Sequence, residues 1–207
     1  MRLASRILVV EGDIVRTIVI TGGPCAGKTS ALAALRDRFE RQGVPAVFVP
    51  EAATDLILDG IAPWTCGSML TFQTQVMALQ VKREAAALQE AAALGPDALV
   101  ICDRGICDSH AYLSDDDYLR ALAANGLSET EALTRYDAVF HLESIAVADP
   151  ALYTKSNNEA RFENAEEAVA ADARTQAAWA GHRNLTVIPC DADFERKVDH
   201  LEKAILK

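Results

Sequence analysis

Gly22-Gly-Pro-Cys-Ala-Gly-Lys-Thr29 carries the spacing G-x-x-x-x-G-K-T and runs through Ser30 into an apolar-periodic stretch. Gly22 and Gly27 permit backbone angles and close approaches that a Cβ would block. Gly22, Gly23, Pro24, Cys25, Ala26, Gly27, Lys28, Thr29 and Ser30 are therefore expected to wrap a polyphosphate. Successive backbone N–H groups face the anion, and the helix N-terminus adds partial positive charge. Lys28 is placed to reach the β- and γ-phosphates of a nucleoside triphosphate, and Thr29 to give its hydroxyl to Mg²⁺. A glycine turn between strand and helix is the plain alternative. The β-branched run Thr17–Thr21 before the loop and the helical pattern after it favour the phosphate reading. Cys25 is either a reactive thiol activated by the loop's N–H groups and Lys28 or a small residue filling an x position.

Two further stretches bring chemistry to the same place. Leu99-Val-Ile-Cys-Asp103 is an apolar strand ending in a carboxylate, the group that holds Mg²⁺ beside the loop threonine in phosphate-loop enzymes. Arg104 follows at the strand's carboxyl end, where ligands sit in open α/β sheets. Its planar fork suits a phosphate or a substrate hydroxyl, or else an acid that closes the sheet edge. Glu51, directly after Val44–Pro50, faces the same crevice and is the acid best placed to take a proton from an acceptor hydroxyl. The competing reading makes it a helix-start carboxylate. Lys155 and Arg161 lie in a polar stretch after Pro150 that either closes over a transferring phosphate or is a solvated loop.

Strands alternating with helices must position these groups, which argues for a doubly wound parallel α/β sheet. The expected strands are Val15–Thr21, Val44–Val49, Ala98–Cys102, Val139–Leu142 and Leu185–Pro189. Between them fall helices from about Lys28 to Gln42, Ala52–Leu58, Ser68 to Leu94, Phe162 to Gly181 and Asp193 to Leu206. Helical turns are expected at Ser109–Leu113 and Asp116–Ala124, and a capping box at Ser128-Glu-Thr-Glu131. Ile61 to Gly67 reads as loop, and Arg6–Glu11 as an extra edge strand. With 207 residues and 50% hydrophobic content, the simplest organisation is one domain over residues 1–207, with a lid over 146–163.

The formal charge of −10, from 20 basic and 30 acidic residues, argues against nucleic acid or an anionic membrane as partner. No apolar run reaches transmembrane length, and Met1 to Val10 lacks the long core of a signal peptide. Five cysteines without a C-x-x-C pair fit reduced thiols and a cytoplasmic setting. His110, His141, His182 and His200 show no metal spacing and read as structural or surface groups.

V-P-E-A-A after the second strand, C-D-R-G-I-C-D-S-H-A-Y after the third, N-N-E-A-R-F-E-N-A-E-E-A and a helix ending W-A-G-H together resemble the NadR-like group of AAA-labelled phosphate-loop proteins. That group includes nicotinamide-riboside kinase domains. The glutamate after the second strand and the acid–Arg pair after the third more distantly resemble deoxynucleoside kinases. The resemblance spans roughly Val15 to Lys207. It implies a five-stranded sheet of order 2-3-1-4-5 with helices on both faces and a lid carrying the arginine that matches Arg161. It further implies that Glu51, Asp103 and Arg104 face an acceptor and suggests the same of Asp108; N-capping of a helix at Ser109 is the other reading of Asp108. By analogy with small kinases, adenine recognition falls to Cys190-Asp191-Ala192.

The expected activity is ATP- and Mg²⁺-dependent phosphoryl transfer to a small hydroxyl or phosphate acceptor that is nucleoside- or nucleotide-like. The catalytic groups would be Lys28, Glu51, Arg104 and Arg161, the metal ligands Thr29 and Asp103. An ATP-binding switch with slow hydrolysis is the alternative. A GTPase fits less well, because Thr154-Lys-Ser-Asn157 lacks the Asp that guanine needs. The acceptor pocket should draw on Ala52–Gln75 and Asp108–Leu113, with Trp64, Phe72, Gln73 and Tyr112 available to a ring; Phe72 also fits a core position.

Overall fold

The computed structural model describes residues 15–148, 165–191 and 193–207. Five parallel strands form one sheet: β1 (Arg16–Thr21), β2 (Ala46–Val49), β3 (Leu99–Asp103), β4 (Ala138–Leu142) and β5 (Leu185–Ile188). Their order is β2-β3-β1-β4-β5, as expected. The alternation of side chains along each strand divides the core between two faces. Ile18 and Ile20 of β1, Leu99 and Ile101 of β3, and Phe140 and Leu142 of β4 pack with Leu35 and Phe39 of α1 (Lys28–Gln42) and with Val198, Leu201 and Ile205 of α8 (Phe194–Ile205). Val19, Val100, Cys102 and Val139 face the other way, toward Met77, Ala87 and Ala91 of α3 (Met69–Leu94) and Leu122 of α4 (Asp115–Ala124). The same two-residue period directs Asp103 to the α1 face and His141 to the opposite one.

Local chemistry sets the element ends. Gly43, at φ 69, closes α1 as the left-handed C-cap, and Ser68 caps α3 by accepting from Thr71 N. Ser128 and Glu131 form the expected capping box on α5 (Glu129–Thr134). Helix α2 (Ala52–Leu58) has the expected bounds. Several boundaries move. Strand β2 starts at Ala46 because Pro45 has no N–H to donate, although its carbonyl accepts from Leu99 N. The turns expected from Ser109 begin earlier, as a 3₁₀ helix over Ile106–Tyr112. Helix α4 begins at Asp115, capped by Ser114. The helix expected to reach Gly181 is α7 (Ala165–Ala177) in the described residues, with turns after it. A short helix α6 (Ile145–Ala148), with Ala146 buried, was not foreseen, and it takes up the first residues of the expected lid. Arg6–Glu11, Lys155, Arg161, Ala192 and the rest of that lid lie outside the described residues.

Candidate active site

The loop after β1 has the geometry its glycines suggest. Gly22, at φ 146, passes so close to β4 that a Cβ would lie 2.3 Å from the Leu142 carbonyl oxygen. Cys25 and Gly27 take left-handed angles of φ 59 and 79, and Gly27 is the N-cap of α1. Lys28 folds back onto the loop, donating from Nζ to the carbonyls of Gly22 (2.9 Å) and Gly23 (3.3 Å). Burial, reinforced by Arg104, lowers its ammonium to about 8, against the pull of Asp103, Glu51 and Asp108.

Asp103 ends β3 beside this lysine. One carboxylate oxygen, Oδ1, is buried with no hydrogen-bond partner. Burial and then Glu51 push the carboxyl up to about 6, with Lys28 and Arg104 opposing them. An orphaned buried oxygen on a carboxylate that resists ionisation fits a hard divalent cation, whose oxygen ligands would include such a group. Thr29 and Asp103 line one cavity of about 370 Å³ between α1, β2 and α2, so the expected metal pair shares a space.

Glu51 stands between that cavity and a larger one. Although Glu51 is the N-cap residue of α2, its side chain makes no cap hydrogen bond. It accepts instead from Arg104 Nε at 2.6 Å and from Thr54 Oγ1 at 2.7 Å. Burial would raise its carboxyl, but Arg104, Thr54 and Lys28 outweigh that and hold it below the usual carboxylate range. The larger cavity, about 530 Å³, is lined by Glu51, Arg104 and Asp108 and by apolar and aromatic side chains. Trp64, Phe72, Gln73 and Tyr112 all line it, with Phe72 buried and Trp64 exposed.

Arg104 joins these groups at a conformational cost. Its φ of 67 is left-handed, and a non-glycine residue holds such an angle only where its surroundings fix it. Here Arg104 N donates to Ile20 O, Arg104 O accepts from Gln80 Nε2, and the guanidinium reaches both Glu51 and, at 3.1 Å, Asp108. Behind it, buried Glu84 accepts from Gln80, Tyr136 and Arg135, and Tyr136 in turn accepts from Ile106 N. Asp108 is not the N-cap of a Ser109 helix. It lies inside the 3₁₀ turn and accepts from Gly105 N at 2.9 Å, Thr21 Oγ1, Arg104 and Trp179 Nε1 at 3.2 Å. Gly105 is held to glycine because a Cβ would lie 2.9 Å from both Trp179 and Val19.

Three side chains that touch the loop carried no signal in the sequence. Asp172 on α7 accepts from Gly23 N at 2.8 Å and pairs with buried His141 at 3.2 Å. Burial raises its carboxyl, and His141 and the Gly23 amide more than offset that. Ser144 donates to Pro24 O, and Lys197 of α8 donates to Ala26 O at 3.0 Å. Asp172 and Ser144 have mostly apolar neighbours in sequence, Lys197 lies in a charged helix, and none belongs to a spaced motif. Of the remaining histidines, His182 meets Tyr136 O at 2.9 Å and His110 stacks on Tyr118. After β5, Cys190 N donates to Glu143 and Asp191 accepts from Asp193 N.

A family model described as an AAA domain matches residues 17–197, which takes in the loop, Glu51, the Asp103–Arg104 pair and the helices beyond them. The chain belongs to the AAA domain family. No curated protein matches it. An AAA domain with this loop and sheet order is a nucleotide-binding P-loop NTPase fold. Among the described residues of this AAA domain, no helix is long and apolar enough to cross a membrane.

Proposed function

We propose that this AAA domain is a small-molecule kinase, moving the γ-phosphate of ATP to a nucleoside- or nucleotide-like acceptor in a cytoplasmic setting. The observation that carries the reading is the cavity of about 530 Å³ with Glu51 and Arg104 in its wall, joined through Glu51 to the smaller cavity that Thr29 and Asp103 line. A switch that hydrolyses ATP needs space for one water, whereas a kinase needs room for a second substrate and a carboxylate aimed at it. The resemblance to nicotinamide-riboside kinase domains and deoxynucleoside kinases supports the same reading.

In this account ATP lies along Gly22–Ser30. Lys28 leaves the carbonyls of Gly22 and Gly23 and turns to the β- and γ-phosphates. Thr29 and Asp103 would hold Mg²⁺, which when bound supplies neutralising charge to the phosphate oxygens. Glu51 accepts the proton of the acceptor hydroxyl as its oxygen bonds the γ-phosphorus and the bond to ADP breaks. Arg104, fixed between Glu51 and Asp108, orients the acceptor and keeps Glu51 ionised. By the resemblance, Arg161, outside the described residues, would add a cation to the transferring charge. The test is a screen of nucleosides, nucleotides and vitamin-like alcohols for acceptor-dependent ADP release. At least one is expected to raise release well above the acceptor-free rate. If none does while ATP still binds, the chain is an ATP-binding switch and the kinase reading is wrong.

A further inference from the structure

Ser144 and Lys197 grip the loop at two carbonyl oxygens, and each grip fixes a peptide plane. A trans peptide is planar, with its C=O and N–H on opposite sides, and the described residues contain no cis bond. Ser144 Oγ donates to Pro24 O, which turns the Cys25 N–H away from Ser144. Lys197 Nζ donates to Ala26 O, which turns the Gly27 N–H away from α8. Neither the Cys25 nor the Gly27 amide makes a hydrogen bond within the described residues. Cys25 holds a left-handed φ of 59 that a non-glycine residue keeps only with outside support, while Gly27 takes its φ of 79 without a Cβ penalty.

Lys197 is also unusual in itself. It is 5% exposed, and its ammonium donates to two carbonyl oxygens, of Ala26 and Glu143, and to no carboxylate among the described residues. Burial pushes its ammonium down, and Cys190, Glu143 and Asp172 oppose that without bonding to it. A buried cation without a bonded counter-ion is costly, and a polyanion on the far side of the loop offsets that cost.

We propose that Ser144 and Lys197 are positioning residues for the nucleotide's phosphate chain, locking two peptide planes so that the Cys25 and Gly27 N–H groups face it. Lys197 in addition supplies a fixed cation behind the loop. The inference rests on the triphosphate-binding half of the proposed function and is independent of the acceptor.

Inorganic triphosphate and ADP, each with Mg²⁺, are titrated into the parent, Ser144→Ala, Lys197→Met and Lys197→Arg, with folding checked by circular dichroism and ligand-free melting. Ser144→Ala is expected to raise both Kd values roughly three- to tenfold and Lys197→Met at least about tenfold. Lys197→Arg is expected to recover most of the loss. A purely structural role would lower the melting midpoint and leave Kd for triphosphate at the parental value. Folded variants with parental Kd therefore overturn the inference and leave the kinase reading standing. A parent without affinity for triphosphate or ADP overturns both. Should Lys197→Met fail to fold, Ser144→Ala decides alone.

Discussion

Asp103→Asn is expected to make the metal-free protein more stable at neutral pH while abolishing its chemistry. Burial and then Glu51 raise the carboxyl from its ordinary 3.8 to about 6. A folded-state pKa above the unfolded value means that the folded chain binds the extra proton between those two limits. The stability this contributes is fully present below pH 3.8 and is lost as pH rises through about 6. At about 1.4 kcal/mol per pH unit, the ionised carboxylate costs about 3 kcal/mol above pH 6, and the neutral amide escapes that cost. For a domain of this size that corresponds to a rise in Tm of about 6–12 °C. The assay is thermal or urea unfolding of parent and variant in chelator, from pH 4 to pH 8. The gain should appear between pH 4 and 7 and then level off. A variant no more stable than the parent at pH 7.5, or one whose advantage is already complete at pH 4, would refute the reasoning.

Two other substitutions probe the scaffold around the site. Gly23→Ala places a Cβ 2.7 Å from Asp172, against the backbone of α7; urea unfolding should show a loss of roughly 1–3 kcal/mol, and Kd for ATP should rise with it. Glu84→Ala leaves Arg135 and the Tyr136 hydroxyl without their buried acceptor, so a stability loss of about 3–5 kcal/mol is expected, and a change under about 1 kcal/mol would mean that the network behind Arg104 is not held as described.

The sheet order and the loop were legible because they rest on local rules. Alternating β-branched runs, helix caps such as Ser68 and Ser128, and the fixed spacing from Gly22 to Thr29 each announce themselves within a few residues. Glu51 and Asp103 were legible for a related reason, since a polar residue just past an apolar strand falls at the carboxyl edge of a parallel sheet. The supports were not. Asp172, Ser144 and Lys197 reach the loop from 120 residues or more away in sequence, and nothing in their neighbourhoods marks them. The left-handed Arg104 was also invisible, because an arginine advertises no such angle. It is set by Gln80, Ile20, Glu51 and Asp108 converging on it from four separate elements.

The proposed reaction turns on Glu51, which meets Arg104 at 2.6 Å and lines both cavities. The direct measurement sets ATP·Mg²⁺ binding beside acceptor-dependent ADP release in the parent and Glu51→Gln. Binding within about twofold of the parent together with transfer slowed by about 10²–10⁴-fold is the result expected of a proton acceptor on the acceptor side. Near-normal transfer in Glu51→Gln, with a stability loss of about 1 kcal/mol or less, would mark Glu51 as a helix-start carboxylate and contradict the central claim.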